Sequence, residues 1–399
     1  DMSNLERKKV LIINQHFSTG GIKKSLENLI PVLTNKYDVH VSFISGDTNE
    51  FDEKYPGVRI NSPFVISSAL SSMKEIKNMR FRLPRILIKI VFYVLSKWFN
   101  QEKLVNSAIN LSHSFGEYDC VISYAHDNWF GDGSFYGGGN YLAIKKTKSA
   151  NKISWIHGEP KTIGLNTKRL LYTYEKFNHV VAVSDAVKEQ FEKMASGRIH
   201  CEKIYNLLNI NDILEKSKNV VYQEDMNVFR IVTVGRLSKI AKRIDKVNEI
   251  AKLLKENGYK FKWTVVGGGS EYDSCVKICN EYGLQELVDY VGNQDNPYVY
   301  MKQSDLFVLV SDTEAMSIVI NEALVVGTPV VTTDFAAAKE SIIDGVTGFI
   351  TQKDIQSLFH TIAYCIDNRE LLNNIRNNID KHPYSNEAAI KSLEKIIGE

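Results

Sequence analysis

The chain has 399 residues, of which 44% are hydrophobic and 24% charged, with 24 Gly, 8 Pro and 5 Cys. This length exceeds what one hydrophobic core holds and predicts about two domains. The composition excludes disordered, collagen-like and disulfide-rich proteins. The formal net charge is only +2, but residues 1–205 carry 28 Lys and Arg against 20 Asp and Glu, a charge of +8, and the remainder carries −6. The two halves are therefore expected to face different partners.

Apolar runs alternate with helical patterns in the first half. The predicted strands are residues 10–14, 39–45, 120–124, 153–157, 180–184 and 203–205, and the clearest predicted helices are 22–33 and 185–194. Ser184 and Asp185 supply the polar side chains that begin a helix. Runs of Val and Ile that alternate with helices are typical of buried parallel strands.

Residues 74–103 interrupt this alternation with eight basic and two acidic side chains. The apolar stretch 86–99 is shorter than the ~20 residues needed to span a bilayer. On a helical wheel Arg85 and Lys89 fall on a polar face opposite an apolar one, which is typical of a helix in a membrane interface. The candidate membrane contacts are Arg80, Arg82, Arg85, Lys89 and Trp98. The alternative is a surface helix whose apolar face packs on its own sheet.

The alternation restarts after a polar stretch, 206–227, which we interpret as a linker. The predicted strands of the second half are 230–235, 263–267, 288–291, 306–311 and 329–333, and the predicted helices are 244–256, 273–282 and 317–326. The pattern predicts an α/β protein with two Rossmann-like, doubly wound domains that face a cleft. In such sheets ligands bind at the carboxyl ends of the strands.

Two motifs of the first half follow predicted strands. Gly20 and Gly21 precede the first helix. Without side chains they let an anion approach the backbone N–H groups at the helix amino end. The alternative is that the two glycines only serve the turn. His157 ends another strand and is followed by Gly158. A histidine there is able to hydrogen-bond a hydroxyl or phosphate, or to move protons; the alternative is a structural histidine.

In the second half, cationic and glycine-rich loops follow the first two strands. Gly235 and Arg236 end the first strand, and Lys242 opens the next helix. Two cations near a helix amino end suit a diphosphate, and the alternative is a solvated basic loop. Gly268 lies in a run of three glycines that leaves backbone bare.

Two glutamates flank the start of the helix predicted at 317–326. Glu314 precedes it and Glu322 lies about two turns inside it. The N–H groups of Met316, Ser317 and Ile318 are placed to hold phosphate. Glu314, beside Ala315, would then meet the group attached to that phosphate. Glu322 would accept hydrogen bonds from vicinal hydroxyls such as those of ribose.

Several motifs now occur in order: Gly235-Arg236-Leu237 with Lys242, Glu314-x7-Glu322, Gly327-Thr-Pro-Val-Val and Glu340 with Gly348-Phe. They resemble the retaining glycosyltransferases of family 4, which have the GT-B fold. The resemblance runs from about Lys9 to the last helix and is strongest over 229–350. His157 and Asn206 fit the weaker first-half pattern.

The resemblance implies four segments and a set of roles. The segments are an acceptor-binding domain at 1–205, a linker at 206–227, a nucleotide-sugar domain at 228–382 and a helix at 383–399 that packs back on the first domain. Arg236 and Lys242 would hold the donor diphosphate, Glu314 the sugar hydroxyls and Glu322 the ribose. His157 would reach the sugar or phosphate from the first domain, and Gly21 would line the diphosphate. Such enzymes usually retain the anomeric configuration and need no metal or other cofactor.

Three departures from the family pattern bear on donor choice. The usual Glu-Gly-Phe is Glu314-Ala315-Met316, and the usual Lys-Gly is Lys242-Arg243, which adds a cation. The Gly-Gly usual before Glu340 is Ala337-Ala338-Lys339. The first departure keeps open a non-catalytic GT-B module. A nucleotide-sugar epimerase or phosphorylase on the same fold is a further alternative.

The combined expectation is a hexosyltransferase that acts in bacterial surface polysaccharide or glycoconjugate synthesis. Family frequency favours a UDP-sugar donor, and the basic first half favours a lipid-linked glycan acceptor. An odd cysteine count without a signal peptide indicates the cytoplasm, so we expect a peripheral protein on the inner, anionic face of the membrane. Cys275 and Cys279 lack neighbouring histidines, which favours buried thiols over a metal site. Nucleic-acid binding is not expected, because the basic segment lacks interleaved aromatic residues.

Overall fold

The computed structural model describes residues 7–18, 20–221, 228–239 and 241–398, in two compact units. Unit 1 comprises Asp1–Leu207 with Glu387–Glu399, and unit 2 comprises Leu208–Asn386. Residues 206 and 207, predicted as the start of the linker, thus belong to unit 1.

Unit 1 is built on one parallel sheet in the order β3-β2-β1-β4-β7-β8-β9. Its strands are β1 (Lys9–Asn14), β2 (Asp38–Phe43), β3 (Arg59–Ile60), β4 (Cys120–Ser123), β7 (Asn151–Ile156), β8 (His179–Ala182) and β9 (Glu202–Lys203), with a separate hairpin of β5 (Asn128–Trp129) and β6 (Phe135–Tyr136). Its helices are α1 (Gly21–Thr34), α2 (Asn49–Lys54), α3 (Phe64–Leu70), α4 (Met73–Asn78), α5 (Arg82–Ser96), α6 (Gln101–Asn110), α7 (Gly139–Lys146), α8 (Thr167–Tyr174) and α9 (Asp185–Met194).

The central strands of unit 1 lie where the apolar runs predict them. Every residue of β1 after Lys9 is buried, as expected for a parallel strand with helices on both faces. The side chain of Ser184 accepts a hydrogen bond from the Val187 N–H at 3.2 Å and so begins α9 as predicted. Strand β3 was not predicted, because two residues are too few to show a period.

Unit 2 is built on a second parallel sheet in the order β12-β11-β10-β13-β14-β15. Its strands are β10 (Phe229–Val234), β11 (Phe261–Val266), β12 (Val288–Gly292), β13 (Leu306–Leu309), β14 (Val330–Thr333) and β15 (Gly348–Thr351). Its helices are α10 (Ile210–Lys216), α11 (Asp245–Glu256), α12 (Tyr272–Glu281), α13 (Tyr298–Lys302), α14 (Ile318–Val325), α15 (Ala338–Ser341), α16 (Ile355–Asp367) and α17 (Arg369–Lys381).

A buried hydrogen-bonded chain joins the three central strands of unit 2. The indole Nε1 of Trp263 donates to Thr233 Oγ1 at 3.0 Å, and Thr233 Oγ1 donates to the Val308 carbonyl at 2.7 Å. All three residues are buried. The strand order reverses around β10, which lies between β11 and β13, and the loops that leave the ends of β10 and β13 therefore lie side by side. This switch point is where doubly wound sheets bind ligands.

The predicted linker is in part a helix of unit 2. Asn209 caps α10 by accepting a hydrogen bond from the Asp212 N–H at 3.2 Å, and Ile213 of this helix is buried. Two turns are too short for a clear apolar period, which is why the sequence did not reveal the helix. Positions 222–227 of the predicted linker lie outside the described residues.

The last helix, α18 (Glu387–Gly398), belongs to unit 1. Lys36 forms an ion pair with Glu394, and the Asn151 side chain donates to the Ile396 carbonyl at 2.7 Å. Leu393 and Ile397 are buried. The C-terminal helix thus returns to the first domain, as the fold class predicted, although the helix begins at Glu387 rather than 383.

The loops that follow β10 and β11 run against each other because glycine allows it. Gly267 has φ +141°, and a Cβ there would lie 1.9 Å from the Gly235 carbonyl oxygen. The Leu237 N–H donates to the Gly268 carbonyl at 2.9 Å across the same contact. A Cβ at Gly235 would have no atom within 4 Å.

Gly267→Ala is expected to lower the free energy of unfolding by roughly 3 kcal/mol, because the new Cβ clashes and the backbone angle is strained. Gly235→Ala is the matched control and should cost under about 1 kcal/mol. Urea unfolding of the three proteins measures both values. Equal losses in the two variants would contradict this account.

Candidate functional site

Lys242 and Glu314, two of the predicted donor-binding residues, form an ion pair in unit 2. Lys242 Nζ donates to Glu314 Oε1, and Ser311 Oγ donates to the same oxygen at 2.8 Å. Lys242 belongs to the loop after β10, and Glu314 to the loop after β13. The predicted cation and carboxylate are therefore brought together, with Oε1 of the carboxylate oriented by two donors.

Arg243 also connects the loops that follow β10 and β13. Its guanidinium donates to Asp312 Oδ2 at 2.7 Å and to both oxygens of Asp245, and Lys246 Nζ donates to Asp312 Oδ1. Burial raises the pKa of Asp312, but the hydrogen bonds from Lys246 and Arg243 outweigh it and lower that pKa overall. Arg243 was expected to add a cation for the donor. The structure corrects this, because two carboxylates already compensate its charge.

Arg236 occupies a different environment from Lys242. It is exposed and, within the described part of the chain, has no hydrogen-bond or ion-pair partner. Gly235 beside it leaves open space, whereas a Cβ at Gly268 would lie 2.8 Å from the Asn293 side chain. The glycines after β11 thus allow two loops to pack, a structural role, and Arg236 remains available to an anion.

The helix that follows Glu314 begins one residue later than predicted. Ile318 opens α14, and Ser317 is its N-cap. Ala315 and Met316 lie half-buried in the preceding loop. The Ser317 hydroxyl is shielded from solvent and, among the described residues, has no hydrogen-bond partner. An amino end with an unpaired hydroxyl is a place where an anion gains hydrogen bonds.

Glu322 lies inside α14 and is buried. It is 3% exposed, and its Oε1 accepts a hydrogen bond from the Tyr298 hydroxyl at 3.1 Å. A carboxylate that is buried and hydrogen-bonded is held in one orientation. The ribose contact predicted for Glu322 stays a prediction. It would use the small part of this side chain that remains exposed to solvent.

Gly20 and Gly21 lie between β1 and α1 in unit 1, as predicted. Gly20 is the N-cap of α1 with φ +134°, a backbone angle that favours glycine. A Cβ at Gly21 would meet no atom within 4 Å. The first glycine thus serves the turn, and the second leaves open space beside the helix amino end.

His157 follows β7 and stands in a cluster of aromatic rings. Its centroid lies 4.6 Å from that of Tyr124 and 6.1 Å from that of Trp155. Burial and the neighbouring His126 hold the pKa of His157 well below its ordinary value. Its Nε2 is shielded and, in the described ranges, lacks a hydrogen-bond partner. The ring is therefore neutral at pH 7 and offers a hydrogen bond rather than a charge.

His126, which the sequence analysis missed, positions the backbone at His157. Its Nδ1 accepts a hydrogen bond from the His157 N–H at 3.1 Å, and burial lowers its pKa to about 4. Asp127 beside it accepts from the Gly138 N–H at 2.7 Å, and burial raises the pKa of this carboxyl to about 6. Both residues follow the predicted strand at 120–124, as His157 follows the next one. That position was the signal available in the sequence.

Helix α5 is oriented opposite to an ordinary amphipathic surface helix. Arg85 Nη1 donates to the hydroxyls of Ser67 and Ser68 at 3.0 and 2.9 Å, and Lys89 Nζ donates to the Ser71 carbonyl at 2.7 Å. These two residues of the polar face therefore pack on α3 and its C-cap. Arg85 and Lys89 were predicted to contact the membrane, and the structure corrects this, because both reach inward to protein groups.

The apolar side of α5 faces outward. Leu83 is 76% exposed, Leu87 64% and Trp98, just beyond the helix, 81%. The alternative kept open above, packing of the apolar face on protein, is therefore wrong for these side chains, whereas Phe92 and Leu95 of the same helix are half-buried. Arg80 and Arg82 are exposed beside it. Across the described residues, the helices are too short or too polar to cross a bilayer.

Comparison with known proteins gives a family match within unit 2. Residues 215–382 match the family model described as glycosyl transferases group 1. The Campylobacter jejuni N-acetylgalactosamine-N,N'-diacetylbacillosaminyl-diphospho-undecaprenol 4-alpha-N-acetylgalactosaminyltransferase is 22% identical over 382 residues, 91% of each chain. The Bacillus anthracis N-acetyl-alpha-D-glucosaminyl L-malate synthase is 22% identical over 219 residues, 54% of this chain and 55% of the relative. That second match spans about half of the relative's length.

A solved structure extends the likeness to both units. Anabaena HepE in complex with UDP and glucose is 17% identical and has a TM-score of 0.69, covering 98% of this chain and 100% of HepE. At this identity the likeness shows the fold, two Rossmann-like domains of the GT-B type.

His126→Asn is expected to reduce the acid sensitivity of the protein. The folded-state pKa of His126 is about 4, below the unfolded value near 6.5, so the unfolded chain binds a proton that the folded chain does not. Stability is therefore lost as the pH falls from 6.5 towards 4. Asn keeps an acceptor near Nδ1 without titrating. Between pH 7 and pH 5 the wild type should lose about 2 kcal/mol relative to the variant in urea unfolding.

Asp127, whose raised pKa acts in the opposite direction, is present in both proteins and cancels in the difference. A difference between wild type and variant that stays constant with pH would contradict the assignment of a buried, neutral His126.

Proposed function

We propose, on the premise that the chain belongs to the glycosyl transferases group 1 family, that it transfers a sugar from a nucleoside diphosphate donor to a lipid-linked glycan. The reaction retains the anomeric configuration and uses no metal. The observation that carries the proposal is the pairing of Lys242 with Glu314 at the ends of β10 and β13, beside the amino end of α14.

These groups divide between the two parts of a nucleotide sugar. Arg236, Lys242 and the amino end of α14 supply positive charge and N–H donors for the diphosphate. Glu314, whose two hydrogen bonds both go to Oε1, offers its other oxygen to a sugar hydroxyl. As the bond to the sugar breaks, charge develops on the leaving diphosphate, and preorganised cations stabilise it.

The carboxylates of this site support retention without a covalent intermediate. Glu314 is engaged by Lys242 and Ser311, and Asp312 by Arg243 and Lys246. A carboxylate held by cations is a poor nucleophile, so the proposal has the acceptor attack from the side of the leaving group, with the departing phosphate taking its proton. Within the described ranges, no group of three His, Cys, Asp or Glu is close enough to hold a metal ion.

The donor and acceptor classes rest on the relatives. HepE, whose fold this chain shares, was solved with UDP and glucose, which supports a UDP-sugar. The Campylobacter jejuni relative acts on a diphospho-undecaprenol glycan, which supports a lipid-linked acceptor of bacterial surface polysaccharide or glycoconjugate synthesis. The outward apolar face of α5 supports a peripheral position on the inner face of the membrane.

Lys242→Met is expected to lower kcat/KM for sugar transfer roughly 100-fold or more, because it removes a preorganised charge from the leaving group. The assay follows nucleotide release and the new glycosidic bond. Lys260→Met, which removes an exposed lysine of the same unit, is the matched control and should leave the rate unchanged.

Equal rates in Lys242→Met and Lys260→Met would contradict the assigned role. An epimerised donor or a free sugar phosphate, in place of a glycosidic bond, would favour the epimerase or phosphorylase alternative. Absence of any turnover in the wild type, with donor binding intact, would favour a non-catalytic module.

Leu87→Gln combined with Trp98→Gln is expected to weaken binding to phosphatidylglycerol vesicles about tenfold or more, because two exposed apolar side chains lose burial in the lipid. Val220→Gln replaces an equally exposed apolar residue of unit 2 and is the control.

Wild-type co-sedimentation should also fall as salt rises, since Arg80 and Arg82 contribute charge. Equal recovery on phosphatidylcholine and phosphatidylglycerol vesicles would contradict the membrane proposal.

A further inference from the structure

A polar pocket of about 690 Å³ lies at the carboxyl ends of β2 and β3 in unit 1. The loop after β2 contributes Asp47, the segment at β3 contributes Arg59 and Ser62, and α3 contributes Ser67. Arg85 of α5 completes the wall. The pocket opens on the carboxyl side of the sheet, the side on which doubly wound sheets bind ligands, but at the β3 edge rather than at the switch point between β1 and β4. None of the donor-binding residues assigned above line it.

Arg85 links this pocket to the outward-facing helix. Its guanidinium stacks over the Phe64 ring at 4.3 Å and donates to two serine hydroxyls and the Arg80 carbonyl. In the described part of the chain, no carboxylate lies within ion-pair distance of it. Burial lowers the pKa of Arg85. A half-buried guanidinium met only by neutral groups favours an anion.

The lining is mixed rather than uniformly basic. Asp47 and Asp52 line the pocket together with Arg59 and Arg85. Asp47 Oδ1 accepts a hydrogen bond from the Asn49 N–H at 3.1 Å, and Oδ2 accepts a long one from the exposed Asn78 side chain at 3.4 Å. A bare anion would gain little from such a neutral set. A ligand with both a phosphate and several hydroxyls matches it, because guanidinium groups bind phosphate and carboxylates accept hydrogen bonds from hydroxyls.

Helix α5 sets the depth of the pocket relative to a membrane. Its outward face carries Leu83 and Leu87, and Arg85 lies on the inward side. A helix is about 10 Å across, and interfacial helices bury their apolar face by about 5–10 Å. A pocket behind such a helix therefore lies at the level of lipid head groups.

We propose that this pocket binds the sugar phosphate head of the lipid-linked glycan acceptor. Arg59 and Arg85 hold the phosphate, Asp47 and Ser62 hold the sugar hydroxyls, and the lipid chain leaves along the apolar side of α5. This assignment rests on the proposed function and names the part of unit 1 that recognises its acceptor.

The test uses the full chain and phosphatidylcholine vesicles doped with a polyprenyl diphosphate that carries one N-acetylglucosamine. Vesicles with phosphatidylglycerol at equal charge, and free N-acetylglucosamine 1-phosphate as competitor, separate the lipid from its head group. The Arg59 side chain is exposed and, among the described residues, makes no hydrogen bond or ion pair, so Arg59→Gln is not expected to unfold the pocket. Lys168→Gln removes the same charge from an exposed position of unit 1 outside the pocket and is the control.

The wild type should bind the glycan-lipid vesicles about tenfold more tightly than the phosphatidylglycerol vesicles, the gain of one charge-assisted hydrogen bond. Arg59→Gln and Asp47→Asn should each remove most of this preference, Lys168→Gln should not, and the free sugar phosphate should compete. A preference that persists in both pocket variants, or no preference in the wild type, would overturn the proposal. If the pocket variants lose the preference but the free sugar phosphate does not compete with the wild type, the protein recognises the lipid rather than the sugar phosphate. That result would also overturn the proposal.

Donor chemistry separates this proposal from the proposed function. In the absence of acceptor, all variants should hydrolyse the donor at the wild-type rate, with water taking the sugar and the nucleoside diphosphate leaving. If Arg59→Gln transfers sugar at the wild-type rate when the acceptor is limiting, the assignment of the pocket to the acceptor is refuted, but the proposed function is not. Head-group binding by a wild type that transfers from no donor would refute the proposed function alone.

Discussion

The ion pair of Lys242 with Glu314 is the interaction on which the candidate donor site depends. It joins the loops that leave β10 and β13, the two strands at which the sheet of unit 2 reverses its order. Arg243 takes a left-handed backbone angle, φ +46°, so that its side chain reaches Asp312. Such a conformation is costly for a residue other than glycine, and the paired carboxylates offset the cost. The two loops thus hold one cation, Lys242, and one carboxylate, Glu314, side by side.

The two units use different electrostatics. Unit 2 is acidic overall, yet its candidate site depends on a few placed cations and a helix amino end, because local groups at hydrogen-bond distance outweigh distant net charge. In unit 1, the buried His126 and the half-buried His157 are instead neutral imidazoles whose pKa values desolvation has lowered. Such rings orient hydrogen bonds without introducing charge. The basic excess of unit 1 lies largely elsewhere, in residues 74–103, which contribute +6.

Helix α5 shows how one element serves two environments. Arg85 and Lys89 fix the helix to α3 and its C-cap, and apolar side chains such as Leu83 and Leu87 face outward. An exposed apolar surface of this kind marks an interaction site rather than a folding error. The same inward orientation that removes Arg85 from the lipid surface places it in the wall of the polar pocket. Attachment to a membrane and recognition of a head group would thus share one helix.

The sequence alone determined the fold class and the positions of the central strands, because buried parallel strands leave local apolar patterns. It also supplied the candidate donor-site residues, since helix starts leave local patterns too. It placed Lys242, Glu314 and His157 at strand ends. Only the tertiary structure decided which groups pair, that Arg243 is compensated, that Glu322 is buried against Tyr298 and that Arg85 faces inward. A helical wheel separates two faces but does not say which one meets the protein. That choice depends on hydrogen-bond partners contributed by α3, which lie 17 or 18 residues away in the chain.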